Sequence, residues 1–200
     1  MLALARHGNV AGLETSVVIK RVLPHLQEDE DFIAMFVDEA RIAATLDHVN
    51  IARIIEVGRA DGELFLALEL VQGETLAKVQ AALQRRGLTF PPRLAAYVCA
   101  QVAEGLHHAH TRTDADGRAL GIVHRDVSPQ NVMVSFEGAV KIIDFGVARA
   151  AGRITRTIAG RAKGKRGYMA PEQARGDALD ARADVFALGV VLWELLAGQR

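Results

Sequence analysis

The chain has 200 residues, half of them apolar, with 24 basic against 24 acidic side chains and a single cysteine. That is enough apolar material for one or two buried cores. The balanced charge leaves no footprint for nucleic acid or an acidic membrane surface, and one cysteine excludes an intrachain disulfide framework. The longest uncharged apolar run, Val185 to Trp193, falls short of the roughly 20 residues of a spanning helix. The opening MLALARHGNV lacks the layout of a signal peptide, so a cytoplasmic location is expected.

Taken in order, Leu2 to Arg6 and Thr15 to Arg21 read as strands, the second through its β-forming run Ser16-Val17-Val18-Ile19-Lys20. From Asp31 to Leu46, the residues Phe32, Met35, Glu39, Ile42, Ala43 and Leu46 recur at helical spacing. Glu39 therefore either meets a cation across that stripe or lies at its edge in water. Ile51 to Gly58 and Glu63 to Val71 read as strands joined at the turn Asp61-Gly62. Gln72-Gly73-Glu74 breaks the pattern, and the character turns helical over Thr75 to Arg86 and Pro91 to His110, with prolines at the start of the second. Cys99 falls among Leu94, Val98, Val102 and Leu106 and reads as a buried small hydrophobe. His107, His108 and His110 end that helix without the Cys or spaced carboxylates of a metal site. Thr111 to Leu120 contains Asp-Ala-Asp-Gly but none of the further oxygen ligands of a calcium loop, and reads as a polar connection.

The next stretch carries the chemistry. Val132 to Val134 and Val140 to Ile143 flank a Glu137-Gly138 turn and read as an antiparallel ribbon. Folding it brings Asn131 beside Asp144, an amide oxygen and a carboxylate that suit Mg²⁺ as hard ligands. Asp126, five positions before Asn131, is placed to accept a proton from a hydroxyl. Arg149 to Gly167 is rich in Gly, Arg, Lys and Thr without apolar periodicity and leads into Tyr168-Met169-Ala170-Pro171-Glu172. Asp184 to Ala197 is apolar nearly all round, which for a helix predicts burial.

His124-Arg125-Asp126 with Asn131, then Asp144-Phe145-Gly146, then Ala170-Pro171-Glu172 resemble, in order and spacing, the catalytic loop, metal loop and activation-segment end of protein kinases, in particular bacterial eukaryotic-like serine/threonine kinases. The resemblance implies an α+β, two-lobed fold. Its N-lobe, residues 1–71, is a small antiparallel sheet with a helix at 31–46. Its mainly helical C-lobe, residues 72–200, carries the catalytic loop 124–131, metal loop 144–146, activation segment 144–172 and buried helix 184–197.

It also implies transfer of the γ-phosphoryl group of ATP, with Mg²⁺, to a protein Ser or Thr hydroxyl. Asp126 would accept the proton, Asn131 and Asp144 would hold Mg²⁺, and Lys20 paired with Glu39 would place the phosphates. Leu2 and Val18 would lie over the adenine, Glu69 and Val71 would offer it backbone groups, and Leu68 would guard the pocket behind. Read from pattern alone, residues 69–71 are a plain strand end. Asp184 would bond the catalytic-loop backbone from below. Thr155 or Thr157, set among Arg153, Arg156 and Arg161, are candidate autophosphorylation sites whose new charge Arg125 could receive.

Three departures accompany the resemblance. The first strand and glycine-rich loop are missing from the start, and the end falls at the buried helix, so the chain looks shortened at both ends. Ser128 stands where a lysine is usual and Lys165 where a threonine is usual. The expectation is an exchange, with Lys165 supplying the ammonium and Ser128 the hydroxyl that bonds Asp126. Two other readings stand beside the kinase. One is a kinase-fold fragment of weak or no turnover that binds partners. The other is a small-molecule phosphotransferase, against which Asp144-Phe145-Gly146 and Ala170-Pro171-Glu172 argue.

Overall fold

A computed structural model describes residues 2–8, 14–23, 26–27, 29–145 and 166–198. Strands β1 (Leu2–Gly8), β2 (Glu14–Arg21), β3 (Ile54–Ala60) and β4 (Glu63–Glu69) form one antiparallel sheet in the order β1-β2-β4-β3. Helix α1 (Glu30–Ala44) packs against it. Asp29 caps α1, its side chain accepting from the Phe32 amide at 2.9 Å, and Glu30 and Asp31 complement the dipole in the first turn.

The face that α1 buries is Phe32, Phe36, Ala40 and Ala43; the first three pack with Leu64 and Leu66 of β4 and with Val22, whereas Ala43 joins the larger core with Leu46 and Ile51. Of the expected stripe, Phe32, Ala43 and Leu46 are buried and Met35 packs at the edge of the core, while Phe36 and Ala40 are buried in addition. Glu39 lies on its half-exposed flank and Ile42 is exposed. Ala40, with no side chain beyond Cβ, lets the helix sit close to the sheet, and Phe32 and Phe36 supply the apolar area that it lacks.

A second, three-stranded sheet joins β5 (Gly73–Thr75), β6 (Val132–Ser135) and β7 (Val140–Ile142) in sequence order. Helices α2 (Leu76–Arg85), α3 (Pro92–His110), α4 (Pro171–Arg175) and α5 (Ala181–Ala197) complete the described elements. The larger core lies between α3, α5 and the β6–β7 ribbon, where Val98, Cys99, Val102 and Leu106 meet Val132, Ile142, Val191 and Leu195. The ribbon turns as expected at Gly138, whose φ of 91° suits glycine.

Helix α5 is buried on one side only. Ala183, Asp184, Ala187, Val191 and Leu195 are covered, whereas Val185, Phe186, Trp193 and Leu196 are exposed among the described residues. This corrects the expectation of burial all round: uniform apolarity shows that a helix is able to be buried, not which neighbours cover it. No described helix is long and apolar enough to cross a membrane.

Burial also sets the chemistry of Cys99. Loss of hydration pushes its thiol up to about 11 from an ordinary 9.0. The folded state favours the protonated thiol, so this contribution to stability is complete below pH 9.0 and is lost as pH rises toward 11. Native protein is expected to resist maleimide at pH 8 and to react on unfolding in urea. Native labelling at the rate of a free thiol would contradict the packing.

Candidate active site

The sheet assembles one group of expected site residues by register alone. Lys20 is paired with Leu2 on β1 and Leu66 on β4, and Val18 with Leu4 and Leu68. Directly paired residues and residues two apart share a face of a pleated sheet. Leu2, Val18, Lys20 and Leu68 therefore lie on the same face.

The ribbon assembles the other group. The Ile143 amide donates to the Asn131 carbonyl at 3.0 Å, which sets Asp144 beside the start of β6. Asn131 Nδ2 lies 2.7 Å from both the backbone oxygen and Oδ2 of Asp126. Two acceptors on one side identify that atom as the amide nitrogen and turn Oδ1 the other way. Asp144 has φ of 64°, in the left-handed region that Asp tolerates better than most residues. Its Oδ1 accepts from Lys20 Nζ at 2.7 Å, both side chains being partly exposed. Two bonded pairs, Asp126–Asn131 and Lys20–Asp144, are thus brought to the same end of the β6–β7 ribbon by the Ile143–Asn131 backbone bond.

Lys20 is not paired as expected. Among the described residues its ammonium is bound by Asp144, not Glu39. Glu39 lines a small cavity with Ile42, Ile122, His124 and Arg125.

Ser128 also differs from expectation, and Glu69 makes bonds that the expectation did not include. The Glu69 amide donates to Arg53 O at 2.9 Å. The Glu69 carboxylate accepts from the Arg53 amide at 3.1 Å and from Lys141 at 2.9 Å, a half-buried ion pair that ties β4 to β7. Ser128 is fully buried, and its hydroxyl faces the backbone oxygen of Asp126 at 3.5 Å rather than the carboxylate. Val71 is half-buried just after β4. Gly146, Thr155, Thr157 and Lys165 lie outside the described residues.

Beneath this group, Asp184 of α5 is almost wholly buried. It accepts the amides of His124 and Arg125 at 2.8 Å each, as expected, and also meets His110 Nε2 at 2.8 Å. His124 Nδ1 accepts the Asp126 amide at 3.2 Å, so its ring proton sits on Nε2, which reaches Ile143 O at 3.0 Å. Its ring also stands edge-on to Phe145, with centroids 4.7 Å apart. His124 and Asp126 are therefore held through backbone and side chain, and Arg125 through its backbone.

Sequence reasoning missed several supports. Asn50 is buried, its Nδ2 donating to Val140 O at 2.9 Å and Gln101 Oε1 at 3.0 Å. A Cβ on Gly105 of α3 would come within 3.1 Å of the Asn50 carbonyl, so the helix approaches this turn on the strength of a missing side chain. His108, treated as part of a helix end, stacks on His48 with centroids 4.9 Å apart. Burial of His108, with His48 and Arg112 nearby, holds its pKa below the usual histidine range. Lys141 and Gln173 likewise gave no periodic signal.

Residues 9–200 match the family described as protein kinase domain. The tyrosine-protein kinase MasK of Myxococcus xanthus is 46% identical over 197 residues, which take in 98% of this chain and 30% of that protein. The serine/threonine-protein kinase PknB of Mycobacterium leprae is 38% identical over 194 residues, 94% of this chain and 29% of that one. The crystal structure of the Mycobacterium tuberculosis PknI kinase domain aligns with a TM-score of 0.75 at 28% identity, over 99% of this chain and 69% of that chain. The chain spans less than a third of the length of these curated relatives. Its motifs, its sheet-plus-helix architecture and these likenesses agree: the chain belongs to the protein kinase domain family, as a bacterial domain of the eukaryotic-like serine/threonine type.

Proposed function

We propose that this domain transfers the γ-phosphoryl group of ATP to Ser or Thr hydroxyls of a protein substrate, with ATP held between an N-lobe over residues 1–71 and a C-lobe over 72–200. The observation that carries the reading is the placement of the Asp126 carboxylate 2.7 Å from Asn131 Nδ2, with Asp144 adjoining and bound by Lys20. In the reaction a substrate hydroxyl oxygen bonds to the γ-phosphorus, the bond to the ADP oxygen breaks, and the hydroxyl proton passes to Asp126. Asn131 holds Asp126 in its orientation. Lys20 supplies positive charge to the phosphates, and Leu2, Val18 and Leu68 present an apolar face to the adenine, with Val71 at its edge.

The donor set fits Mg²⁺: Asn131 turns its amide oxygen away from Asp126, and Asp144 presents a carboxylate beside it. When bound, Mg²⁺ neutralises phosphate charge, and Asn131 and Asp144 would hold it. Lys20 is then shared between Asp144 and phosphate, and a swing of Glu39 toward it would complete the expected pair. A cytoplasmic setting, where ATP is abundant, suits the reading, as does autophosphorylation at Thr155 or Thr157.

The acceptor needs its own test, because one relative bears a tyrosine-kinase name and another a serine/threonine-kinase name. Full-length protein incubated with MgATP labelled at the γ-phosphate, followed by acid hydrolysis, is expected to yield phosphoserine or phosphothreonine. Phosphotyrosine alone would overturn the acceptor assignment, and no label in any protein substrate would overturn the activity.

A further inference from the structure

The peptide units on either side of Arg125 adopt a conformation that arginine does not favour. Its φ is 68°, in the left-handed region, which a non-glycine side chain keeps only if its surroundings hold it there. Two bonds from different elements do so. The Arg125 amide donates to Asp184 Oδ1 at 2.8 Å, and the Arg125 carbonyl accepts from Gln173 Nε2 at 2.7 Å, across 48 positions of sequence. The carbonyl that Gln173 holds belongs to the peptide bond leading directly into Asp126, so turning that peptide would swing the Asp126 carboxylate.

Gln173 is itself firmly placed. It sits on α4, directly after the buried Ala170. Just before that, the buried Tyr168 donates its hydroxyl to Glu194 of α5. Asp184 and Glu194 are ten residues apart on one helix, a span of about 15 Å. Both grips on the Arg125 peptides therefore rest on α5, one directly and one through Tyr168 and α4.

We infer that Gln173 is a positioning residue for phosphoryl transfer, its amide fixing the Arg125–Asp126 peptide and coupling the α4 segment to the proton acceptor. This deepens the kinase reading and rests on it. Gln173 touches no reacting atom; it acts through the backbone carbonyl of Arg125. Because Gln173 bonds the Arg125 carbonyl and not Lys20, Asn131 or Asp144, loss of the amide donor is predicted to lower turnover without weakening nucleotide binding.

The test uses the full-length protein with Gln173→Met, which keeps length and removes the donor, and Gln173→Glu, which keeps shape and sets an acceptor against a carbonyl. Arg175→Ala, an exposed change on the same short helix, is the control. Expected results are a fall in kcat of about tenfold, the worth of one neutral hydrogen bond, with MgADP affinity within twofold of the parent and faster amide exchange confined to residues 122–127. Arg175→Ala should match the parent. An unchanged kcat in both Gln173 variants, MgADP affinity falling in step with kcat, or the same loss in Arg175→Ala would each overturn the role. The exchange measurement needs no turnover. An inactive parent would sink the kinase reading, and exchange at 122–127 would still decide the clamp, faster in the variants if it holds and unchanged if it does not.

Discussion

Asp184→Ala is expected to destabilise this domain by roughly 3–5 kcal/mol, because it strands two buried backbone donors at once. The lost carboxylate accepts the amides of His124 and Arg125 and faces His110, and the residue is 1% exposed, so water cannot replace it without opening the core. Asp184→Asn should recover part of the loss. Its remaining oxygen can accept one of the two amides, while its NH₂ group faces the other donor. The measurement is the shift in urea midpoint of this domain's unfolding transition, with the slope unchanged. A shift smaller than about 1 kcal/mol in Asp184→Ala would mean that the catalytic-loop amides find other partners, and that α5 does not hold that loop in place.

Asp126→Asn is expected to separate chemistry from structure. The substituted amide retains an oxygen that can accept from Asn131 Nδ2, so the loop, the Lys20–Asp144 pair and the melting temperature should stay close to the parent. What is lost is a group able to take up the hydroxyl proton. Removal of a positioned base lowers turnover by about 10²–10⁴-fold. Steady-state transfer to a protein substrate, alongside MgADP binding, checks both halves. If kcat falls by less than about tenfold, Asp126 is not the proton acceptor, whatever its geometry.

The two variants fail differently, and the contrast follows from burial. Asp184 accepts bonds in a place from which water is excluded, so its removal registers as stability. Asp126 is half-buried, and under the proposed function its removal registers as rate.

Much of this was legible in the residues. The β-forming run Ser16 to Lys20 and the apolar run Leu64 to Leu68 marked strands, and their pairing in the structure then carried Leu2, Val18, Lys20 and Leu68 to one face. The turn signal at Glu137-Gly138 was enough to bring Asn131 and Asp144 together, because a tight hairpin leaves only one register for its two ends.

What the pattern left open was decided by packing. Helical spacing marked α1 but not which flank of its stripe is covered, since Met35–Glu39–Ile42 and Phe32–Phe36–Ala40 are both periodic. Only the fit of Phe32, Phe36 and Ala40 against Leu64 and Leu66 chose between them, and the partner of Lys20, Asp144, comes from 124 positions away. Asn50, His110, Lys141 and Gln173 are single polar side chains whose partners lie 51 to 90, 74, 72 to 90 and 48 positions away. Periodicity reports on neighbours three, four or two residues along the chain, so it is silent about such bonds. Local sequence determined the strands, the helices and the chemical identity of the site; the tertiary fold alone determined which charges meet and which peptides are held, because those depend on distances that no stretch of chain contains.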